Sequence, residues 1–322
     1  MGMAMLNGEI RMKKKAWTIL IVCSMLALTA CGDAEKKSGD TEVVETLNLD
    51  DDDSEEKEDA QQAAAAGNSV MKYQFKDVRG NDYEGTLVDS FPKCTYDFTK
   101  LVEENGYKYY RDEENGITSR LGIDVSQYQA DLDWTQARAS GIEFAILRVG
   151  GRGYGASGTI YEDEKFRDNL RGAVDAGLEV GVYFFSQAIS EREAVEEAEF
   201  VLSKIEAADI KGPVVFDPEE IKEDESRTDG ISSKVLTDNC IAFCDTIKAA
   251  GYDTMIYANM KRMALELDIA KLQDYDWWYA DYYETPQCPY DYEMWQYTDT
   301  GSVPGVEGNV DIDIWFQHEK GE

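Results

Sequence analysis

From Leu121 onward the chain repeats one pattern: an apolar run of strand length, a segment of helical period, then another apolar run. Continuous apolar runs suit strands buried on both faces, and alternation with helical segments is what a parallel sheet with crossover helices requires. The runs fall at 121–125, 143–149, 179–185, 213–217, 254–258, 277–282, 293–297 and 310–314, eight in all. Helical stretches are expected at 163–176, 191–207 and 233–250, while the last three runs follow one another too closely for full helices. The fold class is α/β, and the expected architecture is an irregular (β/α)8-type barrel over 118–322. Any active site should lie at the C-terminal ends of its strands.

The segment before the barrel divides into three. Lys13, Lys14 and Lys15 precede an apolar stretch from Ala16 to Ala30, a basic region followed by a core too short to span a bilayer comfortably. That is the form of a signal peptide, with Met12 as the expected start. It closes on Leu28-Thr29-Ala30-Cys31, which resembles a bacterial lipobox and makes Cys31 the expected site of lipid attachment. Residues 1–31 are thus a signal peptide with lipobox, and 32–67, rich in Asp and Glu with little to bury, read as a disordered acidic tether. Residues 68–117 hold short β-like runs around the turn sequence Arg79-Gly80-Asn81-Asp82 and predict a small β-rich subdomain. The expected location is outside the cytoplasm, on the membrane through a lipid anchor, and the expected state is a monomer.

Charge and residue counts exclude several chemistries. With 32 Lys and Arg against 65 Asp and Glu, a net charge of −33, the chain repels a phosphate backbone, so no nucleic-acid partner is expected. The one histidine, His318, lies beyond the last run, which leaves Ser-His-Asp, Cys-His and zinc-amidase mechanisms without their central residue. Cys94, Cys240, Cys244 and Cys288 form no metal pattern. Cys240 and Cys244 have the spacing of one helix face and read as core; a Cys94–Cys288 disulfide is open. No cofactor or metal is expected. Gly153-Tyr154-Gly155-Ala156-Ser157-Gly158 matches G-x-G-x-x-G literally, but acids follow where a pyrophosphate would sit, so it reads as a flexible strand-to-helix loop at the cleft rim.

Carboxylates stand where a barrel enzyme needs them. Asp217-Pro218-Glu219 ends the run Pro213-Val214-Val215-Phe216, and residues two apart on a strand project to one face. Pro218 cannot donate to a ladder, so the strand should stop near Asp217. Asp124 ends the first run; Asp311 and Asp313 enter the last, and first and last strands are neighbours in a closed barrel. Clustered carboxyls raise one another's pKa, the condition for a general acid near neutrality. Aromatic residues at the strand ends suit sugar rings; Tyr183, Tyr257, Trp278, Tyr282 and Trp295, with the adjacent Gln296, are the candidate substrate-binding residues.

The stretch from Leu121 to Phe316 resembles the glycoside hydrolase family 25 lysozymes, which are N-acetylmuramidases. The segments that carry the resemblance are Gly122-Ile123-Asp124-Val125-Ser126 with Gln129 and Asp133-Trp134, then Gly181-Val182-Tyr183-Phe184-Phe185, then Pro213 to Glu219, and finally Trp295-Gln296-Tyr297 running to Gly308-Asn309-Val310-Asp311. The resemblance implies a catalytic glutamate at Glu219, its partner at Asp217, and supporting aspartates at Asp124 and Asp311. It further implies cleavage of the bond between N-acetylmuramic acid and N-acetylglucosamine in peptidoglycan glycan strands, with retention, assisted by the substrate's N-acetyl group. Phe184 stands where many relatives carry histidine, and the segment after Glu219 is more acidic than usual. The alternative is a non-catalytic wall-binding lipoprotein; the presence of all four acids favours the enzyme.

Overall fold

The computed structural model describes residues 71–129, 131–222 and 224–319, all within one compact unit. The expected leader, Cys31 and the acidic stretch 32–67 lie outside the described residues. The strands are β1 (Lys72–Lys76), β2 (Asp82–Thr86), β3 (Leu101–Glu104), β4 (Tyr107–Asp112), β5 (Ile117–Val125), β6 (Phe144–Arg152), β7 (Ile160–Glu162), β8 (Glu179–Phe185), β9 (Val214–Asp217), β10 (Thr254–Asn259), β11 (Asp276–Ala280), β12 (Met294–Gly301) and β13 (Val310–His318). The α-helices are α1 (Trp134–Ala139), α2 (Phe166–Asp175), α3 (Glu191–Ile205) and α4 (Ser233–Ala249). Three start on side-chain caps: Asp133, Ser190 and Ser232 accept the backbone N–H of Gln136, Glu193 and Val235.

Eight strands close a barrel in the order β5-β13-β12-β11-β10-β9-β8-β6, with β6 pairing back to β5. All eight coincide with runs expected from the sequence. Seven run parallel, but β13 is antiparallel to both β12 and β5, so the barrel is mixed, not wholly parallel as the alternating pattern predicts. The reason is local: β12 and β13 are joined by a short turn with no crossover helix, and such a link can return only antiparallel.

Two other expectations are corrected. Residues 68–117 do not form one separate subdomain. β1 and β2 make a two-stranded sheet of their own, whereas β3 and β4 extend the barrel sheet through Arg111↔Thr118 and Asp112↔Ile117, so the boundary at 117/118 falls at the start of β5. The glycine-rich segment is not a strand-to-helix loop. It closes a hairpin between β6 and β7, with the Gly153 N–H donating to the Thr159 carbonyl at 2.9 Å. Cys94 and Cys288 are free thiols, and Cys240 and Cys244 are buried on α4 as their spacing suggests.

Period-two alternation splits the barrel strands into two layers. Inward positions carry Phe144, Ile146, Val215, Met255, Trp278 and Met294, a packed plug in the barrel floor. Outward positions join the larger core beneath the helices. Gly122 is part of the plug's geometry, because a Cβ there would lie 2.3 Å from the Phe144 ring.

Gly150, where β6 shifts register against β8, has a stricter neighbour: a Cβ would lie 2.0 Å from the Tyr161 backbone carbonyl. Gly150→Ala should therefore displace β7 and lower stability by about 1–3 kcal/mol, read as a fall in thermal midpoint. Gly155→Ala, with nothing within 4 Å of the new Cβ, should leave the midpoint unchanged.

Candidate active site

The plug ends below the rim, and the next inward positions are polar. Asp124 closes β5, Asp217 closes β9, and Gln296 lies on β12. Because β13 is reversed, its first residues reach the same rim, and Asp311 stands directly across the ladder from Asp124. Glu219 follows two residues after Asp217, beyond Pro218. One cavity of about 140 Å³ is lined by Asp124, Tyr183, Asp217, Glu219, Tyr257, Trp278, Tyr282, Gln296 and Asp311. All of these are residues singled out from the sequence. The exception is Trp295. It points to the outer layer, fully buried, with its indole N–H donated to the Asp281 carbonyl at 2.7 Å, so it is a core residue rather than a wall of the cleft. Its neighbours Met294 and Gln296 take the inward positions, and strand parity sends Trp295 the other way.

A short hydrogen-bond chain orders the rim. The Gln296 amide donates to Asp124 Oδ2 at 2.7 Å, and its Oε1 accepts the hydroxyls of Tyr257 at 2.7 Å and Tyr282 at 2.8 Å. Both tyrosines are thereby held as cavity walls. Asp217 Oδ1 is buried and has no partner.

Burial dominates the electrostatics. It pushes the carboxyls of Asp124 and Asp217 well above the usual aspartate range; Asp311 and Asp313 push Asp124 further, and Glu219 pushes Asp217 further. Glu219 is also raised by burial, against the opposing pull of Lys222 and Arg262. Asp311 is raised to about 7 by burial and by Asp299 and Glu219. These acids hold protons to higher pH than isolated carboxyls, and Asp217 with Glu219 titrates as a pair.

Asp313, named with Asp311 from the sequence and two positions along β13 from it, is fully buried and accepts the Trp278 indole N–H at 2.9 Å. Other residues escaped the sequence reading. Arg148, a charge inside an apolar run at the inward parity of Ile146, pairs through Nε with buried Asp163 at 2.6 Å and opposes the rise at Asp217. Its misfit in the run was a readable signal. Ser186 and Gln187 gave none. The Ser186 N–H donates to the Asp217 carbonyl at 2.8 Å, and the Gln187 amide to the Glu219 carbonyl at 2.9 Å. Ser186 is in turn fixed by its hydroxyl on Glu197, and Glu197 by Arg152 at 2.7 Å, a buried chain behind the acid pair. His318 lies exposed at the far end of β13, opposite Ile117.

Known proteins resemble this chain in sequence and fold. The profile described as Glycosyl hydrolases family 25 matches residues 123–306. The autolytic lysozyme of Clostridium acetobutylicum is 27% identical over 193 residues, covering 60% of this chain and 54% of that protein, so the chain spans about half that relative's length. The bacterial lysozyme of Streptomyces coelicolor superposes with a TM-score of 0.51 at 24% identity, over 61% of this chain and 91% of that one. The modular autolysin LytC of Streptococcus pneumoniae, solved in complex with a synthetic peptidoglycan ligand, gives a TM-score of 0.53 at 20% identity, over 75% of this chain and 56% of that one. At these identities the structural likeness is one of fold.

The raised Asp311 has a stability consequence of definite sign. Its folded pKa, about 7, exceeds the unfolded value, so the folded state binds more protons between about pH 4 and 7 and stability falls as pH rises through that window. Asp311→Asn removes the buried charge. It should raise stability at pH 8 by about 1 kcal/mol or more, roughly 2–4 °C in thermal midpoint, and change little at pH 4. An equal gain at both pH values would contradict a cost that comes from burying the ionised carboxylate.

Proposed function

The chain belongs to glycosyl hydrolase family 25, and from that premise we propose that it is an N-acetylmuramidase, cutting the β-1,4 bond between N-acetylmuramic acid and N-acetylglucosamine in peptidoglycan. The observation that carries this reading is the convergence of Asp124, Asp217, Glu219 and Asp311 on one cavity walled by Tyr183, Tyr257, Trp278 and Tyr282. The Clostridium acetobutylicum relative, a lysozyme by name, and the peptidoglycan ligand bound to the Streptococcus pneumoniae autolysin point to the same substrate.

In this mechanism Glu219, whose burial favours its protonated form, donates to the glycosidic oxygen as the C1–O bond breaks. The substrate's own 2-acetamido oxygen attacks C1 from the opposite face and closes a ring. Asp217 accepts the acetamido N–H, which gives the unpartnered Oδ1 its hydrogen bond and stabilises the positive charge of the cyclised intermediate. Glu219, now ionised, takes a proton from water as it opens the ring at C1, so the configuration at C1 is retained. Asp124, held by Gln296, and Asp311 shape the field around the pair. The Ser186 and Gln187 donors fix the backbone carbonyls on either side of Pro218, which sets the spacing between Asp217 and Glu219.

Wild-type protein should clear suspensions of purified bacterial cell wall. Glu219→Gln should lower the rate by at least about a hundredfold with no loss of folding, because it removes a proton donor used only in the transition state. Borohydride reduction of the digest should yield muramitol ends; near-normal clearing by Glu219→Gln, or glucosaminitol ends, would overturn the assignment.

We further propose that the enzyme works outside the cytoplasm, tethered by lipid on Cys31. Among the described residues no helix is long and apolar enough to cross a membrane, and acyl chains on Cys31 would supply the anchor. Cys31→Ser should move the protein from the membrane pellet to the soluble fraction; retention in the pellet would refute the anchor.

A further inference from the structure

At about 140 Å³ the acid cavity falls short of the roughly 300–1,000 Å³ of complete small-molecule sites. It holds the bond to be cut and little of the chain on either side. A groove of about 650 Å³ adjoins it, and Tyr282 is a wall of both. The groove is lined as well by the tip of the β3–β4 hairpin, Asn105 to Lys108, and by Tyr297, Thr298 and Thr300 on β12.

The hairpin tip is built into this position. Asn105 and Gly106 both have positive φ, 55° and 83°, the left-handed pair of a tight two-residue turn. The Lys108 amine donates to the Glu284 carbonyl at 2.7 Å and lies 4.9 Å from the Trp295 ring and 5.7 Å from that of Tyr297. The Tyr107 hydroxyl donates to the Ser302 carbonyl at 3.4 Å. The tip is thus joined to the loops on both sides of β12. None of it lies within the family-matched residues 123–306.

We propose that this groove binds further sugar residues of the same glycan strand whose scissile bond lies at Asp217 and Glu219, and that the β3–β4 hairpin adds this subsite to the family's barrel. The proposal rests on the muramidase reading. Glycan rather than stem peptide is the occupant for two reasons. Tyr282 lines both the groove and the acid cavity, so a sugar ring stacked on it has neighbours in each. Its walls are tyrosine rings with hydroxyl and amide groups, the chemistry of sugar faces and sugar hydroxyls. Its one lysine, Lys108, is matched by the carboxylate of Glu284 in the same lining, so the wall carries no net positive charge to attract an acidic peptide.

The test compares peptide-free peptidoglycan tetrasaccharide and octasaccharide as substrates. Thr300→Trp changes an exposed residue and fills the groove without touching the acid cavity. Wild type should prefer the octasaccharide, mainly through KM. Thr300→Trp should keep tetrasaccharide kcat/KM within about twofold and lose about tenfold on the octasaccharide. Equal activity of variant and wild type on both oligomers, or equal loss on both, would overturn the proposal. Should wild type cut neither oligomer, the muramidase reading fails, and calorimetric binding decides the groove: tighter binding of octasaccharide than tetrasaccharide, weakened about tenfold by Thr300→Trp, supports it, and equal affinity for the two lengths overturns it.

Discussion

Taking a carboxylate out of water disfavours its charge, and placing a second beside it disfavours that charge further. Asp124, Asp217, Asp311 and Asp313 all bear this penalty at one end of a closed barrel, and Asp124 and Asp311 bear it directly across a strand ladder, where like charges are destabilising. The compensation is sparse. Gln296 gives Asp124 one donor, Trp278 gives Asp313 one, and Asp217 Oδ1 has none. The cations Arg148, Arg262 and Lys222 act on the acid pair from a distance, easing ionisation without neutralising it. A fold optimised for stability would not assemble this cluster. Holding protons to higher pH than an isolated carboxyl is its chemical return, since a carboxyl that is ionised at the working pH cannot act as an acid.

The remainder of the structure supplies what this cluster needs. Apolar plug residues fill the barrel below the rim, so water reaches the acids only from the mouth. The buried Arg152–Glu197–Ser186 chain terminates on the Asp217 carbonyl, and Gln187 holds the Glu219 carbonyl, so the backbone around Pro218 is fixed by groups outside the lining of the acid cavity. Gln187 is itself anchored, its Oε1 accepting the hydroxyls of Ser226 and Thr228. These contacts make spacing between the acids a property of the scaffold rather than of two mobile side chains.

Much of this was legible in the sequence because the barrel strands announce themselves as apolar runs, and two of them, β5 and β9, carry an acid at their C-terminal end. The eight runs all became strands, and parity from Asp217 to Glu219 foretold a shared face. The direction of β13 was not legible, yet it is what carries Asp311 to the rim: in a wholly parallel barrel an acid at the start of a strand would sit at the opposite end from Asp124. Trp295 shows the limit of residue type without parity, since an indole beside Gln296 looks like a sugar platform until the strand phase turns it outward. The hairpin closing on Gly153–Gly158 and the pairing of β4 with β5 join neighbouring segments, but their register is weakly specified by a glycine-rich or polar pattern and is set by packing. Ser186 and Gln187 act through backbone carbonyls, and no residue-type signal marks such a role.

We propose that Asp217 and Glu219 work as one unit, with the substrate's acetamido group as the internal nucleophile. Proton NMR of the anomeric signals in the first minutes of digestion of a defined peptide-free oligosaccharide tests it most directly. Retention predicts that N-acetylmuramic acid ends appear first in the β configuration and only later mutarotate. First appearance of the α anomer would mean direct attack by water on the face opposite the leaving group and would contradict the account.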